Sequence, residues 1–426
     1  MVATPLTSMA LVAFAGGAAL AAPQEPEPAQ EGADEPIRAR AREPLLEGVW
    51  RSLALGTGGD AEARERAVAA LVALGPPVVP TLVDVLAGFE PPPRPRTEGA
   101  PSQAGPLDDT AAWQPLAIAA LRGLPEDELL GAVRAKTMGK GVPREQRIAG
   151  IRILGGGGTA PAAMLVLESA AELAEIELAR MLVQRPIVEA LAVILDRDGS
   201  AYDALEERIA ELPPRLLPLV AQALAEAGAA QGLELLLGLL QRDRDLDLVL
   251  VRSIAELAGK GEVWLEEPRY AYLRRFLDDI EPQMRQAAAL ALGRVQDLAS
   301  FEPLIARLED PDPRVQRAAL WSLQAMSGLK LPANPRHWSA WHGAEIDWLE
   351  RDLPRLERRL RSRRSAEVVE AIAELARHRL FRHETAPLVF DSLECADPGI
   401  ATSACAALEQ LRSARAVPAL TGALAH

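Results

Sequence analysis

The residues best suited to chemistry lie between 334 and 382. The run Asn334-Pro335-Arg336-His337-Trp338-Ser339-Ala340-Trp341-His342 leads on to Trp348. Arg355, Arg358, Arg359, Arg361, Arg363 and Arg364 follow, with Arg377, Arg379 and Arg382 further on. Indole faces beside guanidinium and imidazole groups can form a binding platform. The aromatic area supplies apolar contact, and the cations attract an acidic partner, an anionic lipid or another polyanion. The same spacing has a structural reading. Asn334 can cap a helix and Pro335 fits its first position. On that helix Trp338, Trp341, Glu345 and Trp348 share one face, as tryptophans covering the end of a neighbouring unit would. The arginines, with Glu357, Glu367 and Glu370 as helical neighbours, then form a solvated face on a helix capped by Asp352 and opened by Pro354. The expected partner contacts are Trp338, Trp341, Trp348, Arg355, Arg358, Arg359 and Arg361.

Other reactive residue types are sparse. His337 and His342 stand five apart, about 140° around a helix, and do not converge on one ion. His378 and His383 straddle a predicted helix end, and no carboxylate pair sits at ligand spacing. Gly155-Gly156-Gly157-Gly158-Thr159 lacks the Lys-Ser/Thr of a phosphate loop and follows a helix rather than a strand. It is expected to be a turn, as is Gly259-Lys260-Gly261. There is no nucleophile elbow and no HExxH. The two cysteines, Cys395 and Cys405, have no metal-ligand spacing. With a turn at Asp397 their Cα atoms stand more than about 7 Å apart, which disfavours a bridge; buried free thiols are expected. The chain is therefore expected to be no enzyme and to hold no cofactor or metal.

The elements that must position these residues are repeats. Pro282-Gln283-Met284-Arg285-Gln286-Ala287-Ala288-Ala289-Leu290-Ala291-Leu292 aligns with Pro313-Arg314-Val315-Gln316-Arg317-Ala318-Ala319-Leu320-Trp321-Ser322-Leu323, at an offset of 313 − 282 = 31. Pro398-Gly399-Ile400, with Ala404, Leu408 and Leu411, is a third copy. Met284, Ala288, Ala291 and Val295 form one helical stripe, and Phe301, Leu304, Ile305 and Leu308 form its partner. Such stripes are narrow, so one hairpin cannot bury itself and neighbours must stack. Pro80, Pro303, Pro387 and Pro418 each open a predicted second helix. Gly75, Gly155 and Gly228 are expected to close first helices. Hairpins are predicted near 61–88, 110–136, 143–172, 176–211, 213–241, 246–278, 281–308, 365–393 and 397–425, with a single helix at 312–327. The chain is 49% hydrophobic but only 4% aromatic, so Ala and Leu, both strong helix formers, must do most of the packing.

The first-helix pattern Pro-x-Val/Met-x-x-x-Ala…Leu and the second-helix pattern x-Pro-x-Leu resemble HEAT repeats, in the short variety shared with phycobilin-lyase-type repeat proteins. The match is best at 281–327 and 384–425, fair at 61–88 and 143–172, and weak elsewhere. The resemblance implies an all-α fold, an α-solenoid of about nine to ten stacked helical hairpins, and protein-binding use. It implies no single activity.

Domain organisation follows. Ala10 to Ala22 is an uncharged apolar run, shorter than the roughly 20 residues of a membrane span. It ends in Ala19-Leu20-Ala21 ahead of Pro23 and acidic residues, so 1–21 resembles a secretory signal peptide, although residues 1–9 carry no Lys or Arg. Export to the periplasm or the extracellular space is expected, with no stable transmembrane anchor after cleavage. Residues 22–43, rich in Pro and Glu, are expected to be a disordered linker. The solenoid is expected to occupy 44–426, with a Pro-rich insertion at 89–109 and an irregular Trp/Arg-rich segment at 328–364. A net charge of −14 argues against nucleic acid as partner. The expected function is a scaffold for a protein partner of unknown identity in the cell envelope. The alternatives are a groove that holds a small molecule, lyase- or chaperone-like, and a structural spacer.

Overall fold

The structure is a computed structural model that describes residues 35–57, 60–90, 110–139, 141–173, 178–260 and 270–424. The signal-peptide segment 1–21, the linker as far as 34 and most of the Pro-rich insertion lie outside the described residues. Within them every regular element is a helix.

Local sequence sets the ends of these helices. Asp60, Asp312 and Asp397 each accept a hydrogen bond from a backbone N–H in the first turn of the helix that follows, which satisfies one of its orphaned donors. Pro282, Pro313, Pro335 and Pro398 occupy first positions, where no amide donor is needed. Gly228 (φ 77°) and Gly328 (φ 76°) close helices in the left-handed conformation.

Ten helical pairs follow one another: 61–86, 110–137, 144–171, 181–208, 217–239, 244–278, 282–309, 313–351, 365–392 and 398–424. First helices pack on first helices without interruption from Glu35–Gly56 to Pro313–Ser327, and second helices pack in succession beside them from Val79–Leu86 to Ala230–Leu239. This two-layer stack is an α-solenoid. Its core is the seam between layers, where stripes such as Leu246, Leu250, Ile254 and Leu257 are closed off from solvent; each such side chain contributes about 1.5–3 kcal/mol. Among the described residues no single helix is long and apolar enough to cross a membrane. The bent pair Ala61–Ala73 and Pro76–Leu86 meets the length and composition of a broken span, but its apolar stripe is buried in the stack.

Cations tie successive units together through backbone carbonyls. Lys260 Nζ donates to the Glu226 carbonyl at 2.8 Å, Arg294 to Ala255 at 2.6 Å, Arg382 to Met326 at 2.7 Å and Arg415 to His383 at 2.8 Å. Glu226 and Met326 lie in the last turns of their helices, where carbonyls lack intrahelical partners and sit at the negative end of the helix dipole, so a cation from the next unit suits them twice over.

Three expectations are corrected. The linker expected to reach residue 43 is helical from Glu35, because Glu35–Gly56 is one helix through Pro44; Ala and Arg alternate there, both good helix formers. The glycine run is not a turn. Gly155, Gly156 and Gly157 belong to the helix Arg144–Gly157, and a Cβ on Gly155 would lie 2.6 Å from Ala190 Cα of the next first helix. Glycine is needed there for close approach of two helices. Gly259 likewise lies inside a helix, Arg244–Lys260.

The stack changes character after Ser327. The helix Pro335–Arg351 packs on the second helix of the preceding pair, Leu353–Leu360 packs on it, and Ser365–Leu375 packs on that. The short 3-10 turn Arg379–Phe381 rests on Pro313–Ser327. The segment 328–364 is thus a regular helix plus a short one, inserted where a single second helix would suffice.

Candidate functional site

The tryptophan helix, Pro335–Arg351, forms as its sequence indicates, with Asn334 Oδ1 accepting from the Arg336 N–H at 3.0 Å. Its apolar face turns inward. Trp338 is 0% exposed, and its Nε1 donates to the Pro332 carbonyl at 3.0 Å. Its ring meets Phe301 at 6.1 Å and Trp341 at 6.1 Å, both edge-on. Trp341 is half-buried against Phe301, at 5.7 Å between centroids. Trp348 is buried and stacks on His378 at 3.5 Å, with Phe381 beyond at 6.2 Å. The His378 Nδ1 lies 3.0 Å from Glu345 Oε2, and its Nε2 lies 3.6 Å from Glu374. Trp338 and Trp348 therefore cover the ends of the neighbouring pairs and offer no open platform. The reason is position: this helix must fill the gap between Phe301 on one side and the 365–381 segment on the other.

The arginine helix, Leu353–Leu360, buries only Leu356. Asp352 precedes it but gives no side-chain cap; its carboxylate instead pairs with Arg355 at 3.3 Å. Arg359 pairs with Glu370 at 2.5 Å and Arg364 with Glu367 at 2.8 Å. Hydrogen bonds from Ser362 and then Arg364 lower the Glu367 pKa. Arg358 and Arg361 are exposed and have no carboxylate partner among the described residues; Arg358 Nε donates to the Pro354 carbonyl at 3.1 Å. The patch is thus part solvated ion pairs, part uncompensated cations.

His342 stacks on Phe301 at 4.8 Å, and burial lowers its pKa. His337 is exposed on the far side of the helix, so the two do not converge. Among the described residues no group of His, Cys, Asp and Glu is placed to hold a metal ion. Cys395 is half-buried and Cys405 is exposed, both as free thiols. The expectation that both are buried is corrected for Cys405, which lies on the outer side of Pro398–Leu411.

A second basic region was not visible in the sequence. Where the stack changes character, the ends of Arg244–Lys260 and Pro282–Arg294, the middle of Pro313–Ser327, the 382–383 turn and the end of Pro398–Leu411 enclose a cleft of about 410 Å³. Lys260, Arg294, Trp321, Arg382, His383 and Arg412 line it, and no carboxylate does. Trp321 is 42% exposed and carries the Arg294 guanidinium 5.7 Å above its ring. These residues come from five elements spread over some 150 positions, so no local spacing announces them. The one sequence signal is Trp321 itself, which stands where the aligned repeat has Leu290.

Residues 271–376 match the family described as HEAT repeats. Among solved structures, an engineered protein is 18% identical over 90% of this chain and 97% of its own, with a TM-score of 0.29. A Kap121p mutant is 13% identical over 90% of this chain and 46% of its own, with a TM-score of 0.35. The karyopherin Kap121p bound to the extreme C-terminus of the protein phosphatase Cdc14p is 13% identical over 89% and 44%, with a TM-score of 0.36. The chain spans less than half the length of these karyopherins. No curated protein matches it. The described residues form an all-helical solenoid, within which 271–376 match HEAT repeats.

Proposed function

We propose that the protein is an exported, non-enzymatic scaffold that binds a protein partner in the cell envelope. The observation that carries this reading is the construction of 335–361. Its aromatic side is locked into the core through Trp338 and Trp348, and its outer side presents Arg358 and Arg361 without carboxylate partners in a chain of net charge −14. A rigid cationic surface on an acidic protein suits an acidic partner by charge complementarity. Arg355, Arg358, Arg359 and Arg361 are the proposed contact residues, with half-buried Trp341 on the same insertion.

Two experiments test the two halves of the proposal. Crosslinked affinity capture with wild type and with Arg358→Glu plus Arg361→Glu should recover one dominant protein from the first and lose it in the second; equal recovery removes the patch from the site. Export is tested by N-terminal sequencing of the mature protein, which should begin near residue 22; a mature chain starting at Met1 contradicts it.

A further inference from the structure

The cleft between Arg244–Lys260, Pro282–Arg294, Pro313–Ser327 and Pro398–Leu411 gathers positive charge to an extent that the bonds to backbone carbonyls do not explain. Lys260 and Arg294 each spend one bond on a carbonyl of the preceding unit, and Lys260 also lies 3.8 Å from the Glu256 carboxylate. A guanidinium and an ammonium retain further donors after that. Arg412 makes no such bond and has no ion pair among the described residues. Its backbone is also unusual. It closes Pro398–Leu411 at φ 50°, ψ 46°, in the left-handed region. Gly228 and Gly328 fill two corresponding helix ends and Gln296, at φ 58°, the end of the aligned Pro282 helix; glycine is the residue that avoids the Cβ cost of that conformation. An arginine there accepts strain and places a free cation at the cleft.

The lining is amphipathic as well as cationic. The indole of Trp321 is open, and Ala258, Ala325 and the Gly259 and Gly293 backbones complete the walls. A second cleft adjoins this one at Lys260. That residue also lines a neighbouring cleft of about 570 Å³ with Arg185, Glu189, Val193, Glu226 and Glu256, where carboxylates prevail. A basic cleft and an acidic one therefore adjoin at Lys260, which suits an extended chain better than a compact ion.

We propose that this basic cleft binds an acidic peptide segment of a partner protein, its carboxylates held by Arg412, Arg294 and Lys260 and an apolar side chain laid on Trp321. This rests on the protein-binding reading above but not on the arginine helix or on export.

The test is fluorescence anisotropy on the purified full chain. The probe is a labelled peptide of Glu and Asp with one central Leu, and its Gln/Asn counterpart is the control. The acidic peptide should bind and weaken with added salt, and the amide peptide should not. Arg412→Gly should weaken binding about tenfold or more while the thermal midpoint holds or rises, because glycine relieves the left-handed strain. Trp321→Ala should also weaken it, and Arg358→Glu plus Arg361→Glu should leave it unchanged. Equal binding of both peptides, no binding, or an unaffected Arg412→Gly overturns the proposal. So does competition by citrate as effective as that of unlabelled peptide, which marks a small-anion site. Loss of binding only in the Arg358/Arg361 variant moves the contact to the arginine helix and also overturns it.

Discussion

Arg285 grips Asp310 through two parallel hydrogen bonds, Nε to Oδ2 at 2.9 Å and Nη2 to Oδ1 at 2.8 Å. The pair joins the first helix of one unit to the turn that begins the next. The Asp310 side chain is 1% exposed and also accepts the Asp312 N–H at 2.9 Å. Burial alone would raise the Asp310 pKa; the Arg285 bond and then the Asp312 amide outweigh it, and the value lies below the ordinary one. Removing the guanidinium leaves the buried carboxylate only Arg307, 3.9 Å away, as a cationic neighbour, and Arg285→Ala should cost about 3 kcal/mol or more in denaturant unfolding. Arg285→Met combined with Asp310→Leu should recover most of the loss. An additive double variant would show the pair to be uncoupled.

Trp338 and Trp321 separate core from surface. Truncating enclosed Trp338 to Ala should destabilise the protein by about 3–5 kcal/mol. Trp321→Ala, at an open ring, should change stability by less than about 1 kcal/mol. Thermal and denaturant unfolding of the two variants checks the contrast, and equal costs would contradict the placement of Trp338.

His383 sets an acid limit. It is buried beside Ser413, and desolvation first, then Arg382 and Arg415, push its pKa from 6.5 to about 3. Between those values the unfolded chain binds a proton that the folded chain does not, so unfolding free energy should fall as pH falls through that window. Carboxylates held below their ordinary values, such as Asp310, act in the same direction. The difference between wild type and His383→Asn isolates the histidine: the variant should lose less stability between pH 6.5 and 3. Parallel profiles would contradict the assignment.

Two glycines should respond with opposite signs. A Cβ on Gly293 would lie 2.8 Å from Ser322 Cα of the next first helix, so Gly293→Ala overpacks the stack and should cost about 1–3 kcal/mol. Gly131, inside Glu126–Thr137, has open space around it. Gly131→Ala should gain about 0.5–1 kcal/mol from helix propensity. Unfolding midpoints decide both.

Much of the fold was legible because the repeat is local. The Pro282 and Pro313 copies, the prolines that open second helices and the Asn334 cap are short-range patterns, and each lies where its spacing places it. The glycine run misled because a close approach to Ala190 is a contact between units and leaves no local mark. The arginine helix was legible as a charged stretch, but its ion pairs depend on Glu370, which lies on the following helix. The cleft was hidden for the same reason more strongly. Lys260, Trp321 and Arg412 meet only because the stack changes course after Ser327.

The central claim is that this solenoid is a scaffold for a protein. The most direct measurement is crosslinked affinity capture of the mature chain from the envelope fraction of its source cell, run in parallel with Arg358→Glu plus Arg361→Glu and with Arg412→Gly. The account predicts one dominant protein with the wild-type chain, and its loss in at least one of the two variants. A capture that retains a small molecule or lipid and no protein would contradict it and make the solenoid a groove for a small ligand.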